Sequence, residues 1–202
     1  DKAKVYGADL KVPFGGFCLA GEYAKNKVSG LTINDNDAWE ASLGYGCCSD
    51  SKFGFKAGYR EIGAGFWSAG NWTRVGDAFN PNNIKGWFAD AKYDFGKSFG
   101  IYGGFQNYNP ADIPAFTDLE STKGGLKFGL GSKSSLQAEY EKVKGDYWAL
   151  FAPKTTYLTF AYSYKFNPQA DLRFGYQTIK EDFGAGIKNK GGVAFAQFGV
   201  SF

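Results

Sequence analysis

The residues of this chain that could do chemistry are carboxylates, lysines, arginines and three cysteines, because histidine is absent from all 202 positions. A hydroxyl or thiol nucleophile needs a neighbouring base, and histidine is the side chain that most often plays this part near neutral pH. A Ser–His site is therefore impossible, and no spacing among the carboxylates singles out a Glu–Asp pair. We expect that the chain is not an enzyme and holds no cofactor.

The composition argues against several other classes of protein. A net charge of +3 is too small to indicate nucleic-acid binding, and an aromatic content of 19% argues against disorder. No run of 18 apolar residues predicts a transmembrane helix. A mean hydropathy of −0.34 would suit a soluble protein, but the alternating strands of a transmembrane β-barrel give an equally low average.

Period-two alternation of apolar and polar residues recurs along the chain and predicts β-strands. Most of these strands run nine to eleven residues, which is long enough to cross a bilayer at the usual tilt. Short turns alternate with longer polar loops, as expected of an antiparallel, up-and-down transmembrane β-barrel. The predicted strands cover 3–12, 17–26, 37–46, 52–61, 84–94, 98–107, 122–130, 135–144, 155–166, 170–180 and 192–202.

Aromatic residues recur six positions apart on the apolar side of several predicted strands. Six residues at about 3.3 Å each span roughly 20 Å, which places one aromatic near each edge of an apolar band about 25 Å tall. A soluble sandwich with an aromatic core does not explain this constant spacing. The predicted membrane-interface aromatics are Phe17, Tyr23, Trp39, Tyr45, Phe53, Tyr59, Trp87, Tyr93, Phe99 and Phe105, together with the terminal Phe202.

The opposite side of the strands carries charges of both signs. We expect a hydrated pore with a transverse field, because many glycines on this side leave space; the alternative is an interior filled by neutralising ion pairs. Hairpin counting sets Lys127 opposite Glu139 and places Glu40 diagonally between Lys56 and Arg60. The predicted pore-lining residues, seven basic and six acidic, are Asp9, Lys11, Glu22, Glu40, Lys56, Arg60, Asp90, Lys92, Lys123, Lys127, Glu139, Glu141 and Arg173.

Loop 62–83 is the longest and contains Trp67 and Trp72. It could fold inward as a constriction, bind a hydrophobic ligand or partner, or remain an ordinary surface loop, which we favour. The run Asn34, Asp35, Asn36, Asp37 offers oxygen ligands of the kind that hold Ca²⁺. It lacks the glycine and distal glutamate of an EF-hand, so simple turn chemistry is favoured over a calcium site.

The three cysteines lie at the short-turn end of the predicted strands. Counting back from the intervening loop sets Cys18 opposite about position 46, and parity points Cys18 and Cys48 the same way. An oxidising compartment would permit a bridge. We predict a Cys18–Cys48 disulfide, with Cys47 as the fallback partner.

The segment Phe195 to Phe202, with its amphipathic pattern and terminal phenylalanine, resembles the C-terminal β-signal of bacterial outer-membrane proteins. That resemblance implies recognition by the barrel-assembly machinery and a periplasmic C-terminus. The Gly- and Tyr-rich hairpins are similar to the barrels of S-layer-homology porins from diderm bacteria. An odd set of eleven strands cannot close in the usual even-numbered way, so we expect residues 1–202 to be a single barrel region that forms the C-terminal part of a larger barrel; a complete barrel of ten or twelve strands is the rival.

Together these patterns predict an outer-membrane, porin-type channel for ions and small polar solutes. The alternative function is a structural envelope or S-layer-associated barrel without an open pore. Expected partners are outer-membrane lipid, the assembly machinery, and a second copy of the chain or another envelope protein. Nucleic acid is not expected as a partner.

Overall fold

Eleven antiparallel strands make up the protein in a computed structural model that describes residues 3–28, 34–46, 51–66, 82–96, 98–112, 118–145 and 154–200. Each strand pairs with its neighbour in sequence, so the sheet runs from β1 to β11 in order. The all-β, up-and-down prediction is confirmed. The strands are β1 Ala3–Phe14, β2 Phe17–Val28, β3 Asp37–Tyr45, β4 Phe53–Ile62, β5 Ile84–Asp94, β6 Phe99–Asn109, β7 Leu119–Leu130, β8 Ser134–Lys144, β9 Lys154–Asn167, β10 Ala170–Asp182 and β11 Lys188–Val200.

Several strands extend further than their sequence pattern predicts, mainly towards the long loops. Strand β2 continues to Val28, β7 begins at Leu119, and β10 ends at Asp182. Polar residues such as Lys27 and Glu120 break the apolar rhythm in these extensions, yet their backbones still pair with the adjacent strand. Hydrophobic alternation therefore marks the apolar part of each strand, whereas backbone pairing continues beyond it.

The short turns are tighter than the sequence indicates. Phe14 pairs with Phe17, so β1 and β2 are joined by Gly15 and Gly16 alone. Both glycines have positive φ, 54° and 84°, which is the backbone that a two-residue hairpin turn requires and that glycine adopts without strain.

The sheet shows inverted burial: its buried residues lie on the face that carries charged groups, and its large apolar side chains are exposed on the other face. We call the face that carries Glu40 and Arg60 the polar face and the opposite one the apolar face. Every strand residue that is buried belongs to the polar face, including Ser42 and Gln177. The apolar face instead exposes large side chains, with Leu10, Trp87 and Phe198 at 65%, 67% and 63% of their full exposure. Water would not tolerate such a surface, whereas a bilayer would.

Strands β1 and β11 form the two edges of the sheet, and within the described residues they are not paired with each other. The expectation that further strands complete the barrel stays a prediction. The described part of the chain contains no helix that is long and apolar enough to span a membrane.

Candidate functional site: the polar face

All thirteen charged residues predicted to line a pore lie on the polar face. Registers across the sheet connect them: Asp9 pairs with Glu22, Glu22 with Glu40, and Glu40 with Arg60. The same parity carries on through Asp90, Lys123, Glu139 and Arg173. The structure thus brings these side chains to one surface, and their pore-lining role stays a prediction.

The ten predicted interface aromatics that fall within the described residues all lie on the apolar face. Those near the short turns contact one another across strands, as Phe17 does with Tyr45 at 5.1 Å between ring centroids. Those near the long loops also contact one another: the ring centroid of Tyr59 lies 5.5 Å from that of Trp39 and 5.0 Å from that of Trp87. Two aromatic rows therefore flank the apolar face; their placement at the membrane interfaces stays a prediction, and Phe202 lies outside the described residues.

Glu40 is the centre of the first charged cluster, on β3 and β4. Its carboxylate accepts hydrogen bonds from Lys56 Nζ at 2.6 Å and from Arg60 Nε at 2.9 Å, and Arg60 Nη2 donates a further bond. The Phe88 ring from β5 lies beneath both cations, 5.0 Å from Lys56 Nζ and 5.3 Å from Arg60 Cζ. One carboxylate and one aromatic face thus stabilise two adjacent positive charges.

The predicted geometry of this cluster is correct in its members but not in its register. Arg60 lies directly opposite Glu40 rather than on a diagonal, and Lys56 reaches the carboxylate from four residues further along β4. A cavity of about 140 Å³ opens beside the cluster towards β1 and β2. Its charged and polar lining consists of Asp9, Lys11, Glu22, Glu40, Ser42 and Lys56.

A second ion pair crosses from β5 to β7 over the intervening strand. Lys123 Nζ lies 3.2 Å from the Asp90 carboxylate, and Gly104 of β6 lies beneath the pair. A Cβ at Gly104 would come within 2.6 Å of Lys123 Cε, so the absence of a side chain there is what allows the two charges to meet.

The third cluster links β6, β8 and β10 through hydrogen bonds. The Tyr102 hydroxyl donates to Glu139 Oε2 at 2.7 Å and accepts a bond from Gln137 Nε2. Arg173 Nη2 donates to Gln137 Oε1 at 3.3 Å, and the Arg173 guanidinium lies 5.7 Å from the Phe195 ring centroid. The tyrosine reaches β8 because Gly125 lies beneath it on β7.

Glycines of the polar face therefore serve as seats for side chains from adjacent strands. An added Cβ would come within 3.0 Å of the seated group at each of four positions. These seats and their occupants are Gly58 under Phe88, Gly104 under Lys123, Gly125 under Tyr102, and Gly175 under Phe195. Part of the space that the sequence assigned to a pore is thus filled by neighbouring side chains.

The long-loop end of the polar face carries an apolar cluster that the sequence did not predict. Ile84, Phe88, Tyr108, Leu119 and Val143 pack together at 2–6% exposure, and Ile62 and Tyr157 pack against them. These residues share the parity of the charged groups. A charged middle region therefore gives way to a buried apolar layer near the long loops on β4 to β9.

Two predicted registers are wrong by two residues. Lys127 lies opposite Gln137, while Glu139 lies opposite Gly125, because Leu130 and Ser134 pair and shorten the turn between β7 and β8. Cys18 lies opposite Gly44 rather than position 46. Cys18 is buried, and both candidate disulfide partners, Cys47 and Cys48, lie outside the described residues, so the bridge stays a prediction.

The run of Asn34 to Asp37 forms hydrogen bonds with two distant segments of the chain. Asn36 Nδ2 donates to the Asn26 carbonyl at 2.6 Å, and the carbonyls of Asp35 and Asp37 each accept a backbone N–H from the segment 63–65 at 2.9 Å. These contacts join the run to Asn26 and to residues 63–65, and both local turn chemistry and a calcium site stay predictions. Trp67 and Trp72 lie outside the described residues.

Several polar-face residues that sequence reasoning missed contribute to the clusters, namely Phe88, Tyr102, Gln137 and Phe195. Each interrupts the small or charged pattern of the polar face with a bulky side chain. Three of them come from an adjacent strand to lie against a polar-face glycine. A search for bulky polar-face residues next to glycine in the paired register would have found those three.

An exposed apolar face, a sheltered charged face and consecutive antiparallel strands together define the fold class of an outer-membrane β-barrel. No protein-family model matches the chain, and no curated protein sequence matches it. Among solved structures, the chain is similar to OmpT, an outer membrane protein of Vibrio cholerae that was folded in vitro, with 14% identity and a TM-score of 0.56. The match covers 95% of this chain and 61% of OmpT, so the chain spans about three fifths of that protein. At this identity the similarity shows the fold.

This similarity also requires a correction. The prediction that the chain is not an enzyme is wrong as an exclusion, because it treated the lack of histidine as decisive. The finding that overturns it is the outer-membrane barrel fold shared with OmpT: one fold can carry enzymes as well as channels, and carboxylates and hydroxyls suffice for some hydrolytic sites. The absence of histidine removes one kind of site only.

Proposed function

We propose that the chain forms the wall of an outer-membrane pore through which ions and small polar solutes diffuse passively. The observation that carries this proposal is the inverted burial of the sheet. Charged and hydrogen-bonding side chains occupy the sheltered face, whereas large apolar side chains are exposed on the other. A polar interior behind an apolar exterior is the arrangement that a water-filled barrel requires.

The order of charges on the polar face supports a selective pathway. Asp9, Glu22 and Glu40 lie in one cross-strand row that ends at Arg60. Glu40 is neutralised by two cations, whereas Asp9 and Glu22 are exposed beside the 140 Å³ cavity. A solute passing this row meets the carboxylates of Asp9 and Glu22 on one side and the cations of β4 on the other.

Conductance of the protein in a planar bilayer tests the proposal. We expect stepwise currents from the reconstituted protein, and we expect Glu22→Gln to make the current less cation-selective, as read from the reversal potential in a salt gradient. The matched control is Glu61→Gln, which makes the same change on the apolar face and should leave the reversal potential unaltered. Folded protein that gives no stepwise current would overturn the pore.

A second function is favoured by a specific observation, namely the filled parts of the polar face. The seated side chains over Gly58, Gly104 and Gly125 and the buried apolar layer near the long loops occupy space that an open pore would need. A closed barrel with a structural role in the envelope would have such an interior. The same bilayer measurement separates the two, because a closed barrel inserts without conducting.

We also propose partners, a location and a disulfide for this barrel. The similarity to S-layer-homology porins favours an envelope or S-layer partner, and the resemblance of residues 195–202 to a β-signal favours recognition by the assembly machinery. An outer-membrane location in a diderm bacterium is supported by the fold of OmpT. We propose in addition that the chain forms a homo-oligomer and that Cys18 and Cys48 form a disulfide.

A further inference from the structure

Charged residues on the apolar face are confined to the end of the sheet that carries the long loops. Within the described strands, this face has no charged side chain in its middle or near the short turns. Near the long loops it carries four acidic residues, namely Asp37, Glu61, Glu120 and Asp182, and ten lysines. These lysines are Lys4, Lys25, Lys27, Lys85, Lys142, Lys144, Lys154, Lys180, Lys188 and Lys190.

Three pairs of these lysines lie directly opposite each other on adjacent strands. The pairs are Lys4 with Lys27, Lys144 with Lys154, and Lys180 with Lys190. Like charges placed directly across a strand pair destabilise the sheet. A negative charge nearby would reduce this repulsion. Among the described residues, Glu120 lies 2.8 Å from Lys144 of one such pair. Asp182 faces Lys154 in the register but forms its ion pair, at 3.7 Å, with Lys188, which belongs to none of the three pairs.

The densest part of this surface is on β8 to β11, and we call it the lysine rim: Lys142, Lys144, Lys154, Lys180 and Lys190. Lys142, Lys154, Lys180 and Lys190 are exposed and make no hydrogen bond or ion pair with any described residue. Measured across the strands, β8 to β11 are about 15 Å wide, since neighbouring strands lie roughly 4.8 Å apart. Because Glu120 pairs with Lys144 alone among the rim lysines, the rim is a compact patch of net positive charge.

The rim adjoins the apolar band without a gap. On the apolar face of β9, exposed apolar side chains extend from Phe166 near the short turn to Leu158. The next two residues on this face, towards the long loop, are Thr156 and Lys154. Eight residues at about 3.3 Å span roughly 26 Å along the strand, which is roughly 20 Å across a bilayer at the tilt usual for barrels. Lys154 is thus placed at the height of the lipid headgroups, above side chains that contact acyl chains.

We propose that the lysine rim binds the phosphate groups of an anionic membrane lipid whose acyl chains lie against the apolar face of β8 to β11. The rim supplies positive charge at headgroup height, and Tyr140, Phe160 and Tyr176 below it supply an exposed apolar surface for the chains. Basic clusters next to an apolar surface attract anionic lipids in this way. The lipid would also offset the two repulsive lysine pairs of the rim, Lys144 with Lys154 and Lys180 with Lys190.

Native mass spectrometry of the folded protein in zwitterionic detergent, titrated with short-chain phosphatidic acid, tests this proposal. The triple variant Lys154→Gln, Lys180→Gln, Lys190→Gln removes three rim charges and leaves the Lys144–Glu120 pair intact. We expect its affinity for phosphatidic acid to fall on the order of 100-fold, since each lysine near an anionic surface contributes a factor of about five. The matched control Lys52→Gln, Lys133→Gln, Lys165→Gln makes the same charge change near the short turns and should bind as the native protein does.

Two further arms identify the source of the phosphate. Phosphatidylcholine of the same chain length should bind weakly to all three proteins, and inorganic phosphate at the same concentration should not displace phosphatidic acid. Equal binding by native protein and rim variant would overturn the proposal, as would equal loss in the control variant. Full displacement by inorganic phosphate would mean that the rim takes soluble anions rather than a lipid. Retention of the folded gel mobility in each variant shows that the comparison is made on folded protein.

Discussion

Gly125 gives the sharpest test of the arrangement on the polar face. Its substitution by alanine would place a Cβ 2.7 Å from Tyr102 Cε1, and closer still to the outer end of the ring, so the ring must leave its position. Tyr102 would then lose its hydrogen bonds to Glu139 and Gln137. A bond to a charged group contributes about 1.5–3 kcal/mol and a neutral one about 0.5–1.5 kcal/mol.

The expected loss lies at the low end of these values, because the Tyr102 side chain is partly exposed. Alanine in a strand also recovers roughly 0.5 kcal/mol relative to glycine. We therefore expect Gly125→Ala to lower the free energy of unfolding by about 1.5 kcal/mol. The neighbouring Gly124→Ala is the matched control, since its Cβ would meet nothing nearer than the Tyr102 carbonyl at 3.9 Å, and it should be neutral or slightly stabilising.

Urea unfolding of the protein in phospholipid vesicles, followed by the gel mobility of the folded form, measures both changes. A third comparison isolates the cause: in a Tyr102→Ala background the Gly125→Ala substitution should cost nothing, because no ring remains to be displaced. If Gly125→Ala and Gly124→Ala are equally stable, or if the penalty persists without Tyr102, the seating of Tyr102 over Gly125 is refuted.

Glu40→Gln should cost about 1 kcal/mol in urea unfolding, because Lys56 and Arg60 lose their partner while remaining 39% and 32% exposed; Glu61→Gln should cost nothing. Gly58→Ala should destabilise the protein more than Gly21→Ala, since its Cβ would lie against the Ala41 carbonyl oxygen and 2.7 Å from Phe88 Cζ, whereas a Cβ at Gly21 would have no atom nearer than 3.8 Å; equal effects would contradict the close approach of Phe88 to Gly58. A Cys18–Cys48 bridge leaves one alkylatable thiol without reductant, so Cys47→Ser should show none and Cys48→Ser two; the reverse result would assign the bridge to Cys47. Replacing Trp87, which is 67% exposed on the apolar face, with phenylalanine should reduce the share of tryptophan emission quenched by brominated acyl chains, and unchanged quenching would place that face away from lipid.

Most of the fold could be predicted from sequence, because the alternation within a barrel strand shows which side chains share a face of the sheet. Each strand alternates within itself, so the assignment of Glu40 and Trp39 to opposite faces needs no knowledge of any neighbour. The same reasoning fails at the registers, because one residue more or less in a turn moves every cross-strand partner. The pairing of Leu130 with Ser134 is enough to bring Gln137, rather than Glu139, opposite Lys127.

The clusters of the polar face were even less accessible from sequence. The reach of Tyr102 to Glu139 depends on two registers, on a glycine in the strand between them and on the length of the side chain. None of these appears in the pattern of a single strand. Parity along each strand therefore identifies the charged residues of the polar face. Their partners, and the aromatic residues that support them, are determined by the folded structure.

The seated side chains have a consequence for how the protein assembles. Tyr102 on β6 meets Glu139 on β8, which is 37 residues further along the chain, and the contact cannot form until β7 has been added between them. A hairpin that joins the sheet alone leaves such side chains without their partners until the following strand arrives. Each newly added strand would therefore stabilise the strand two before it, which makes assembly more cooperative than the sum of its hairpins and leaves the last strands added with the fewest completed contacts.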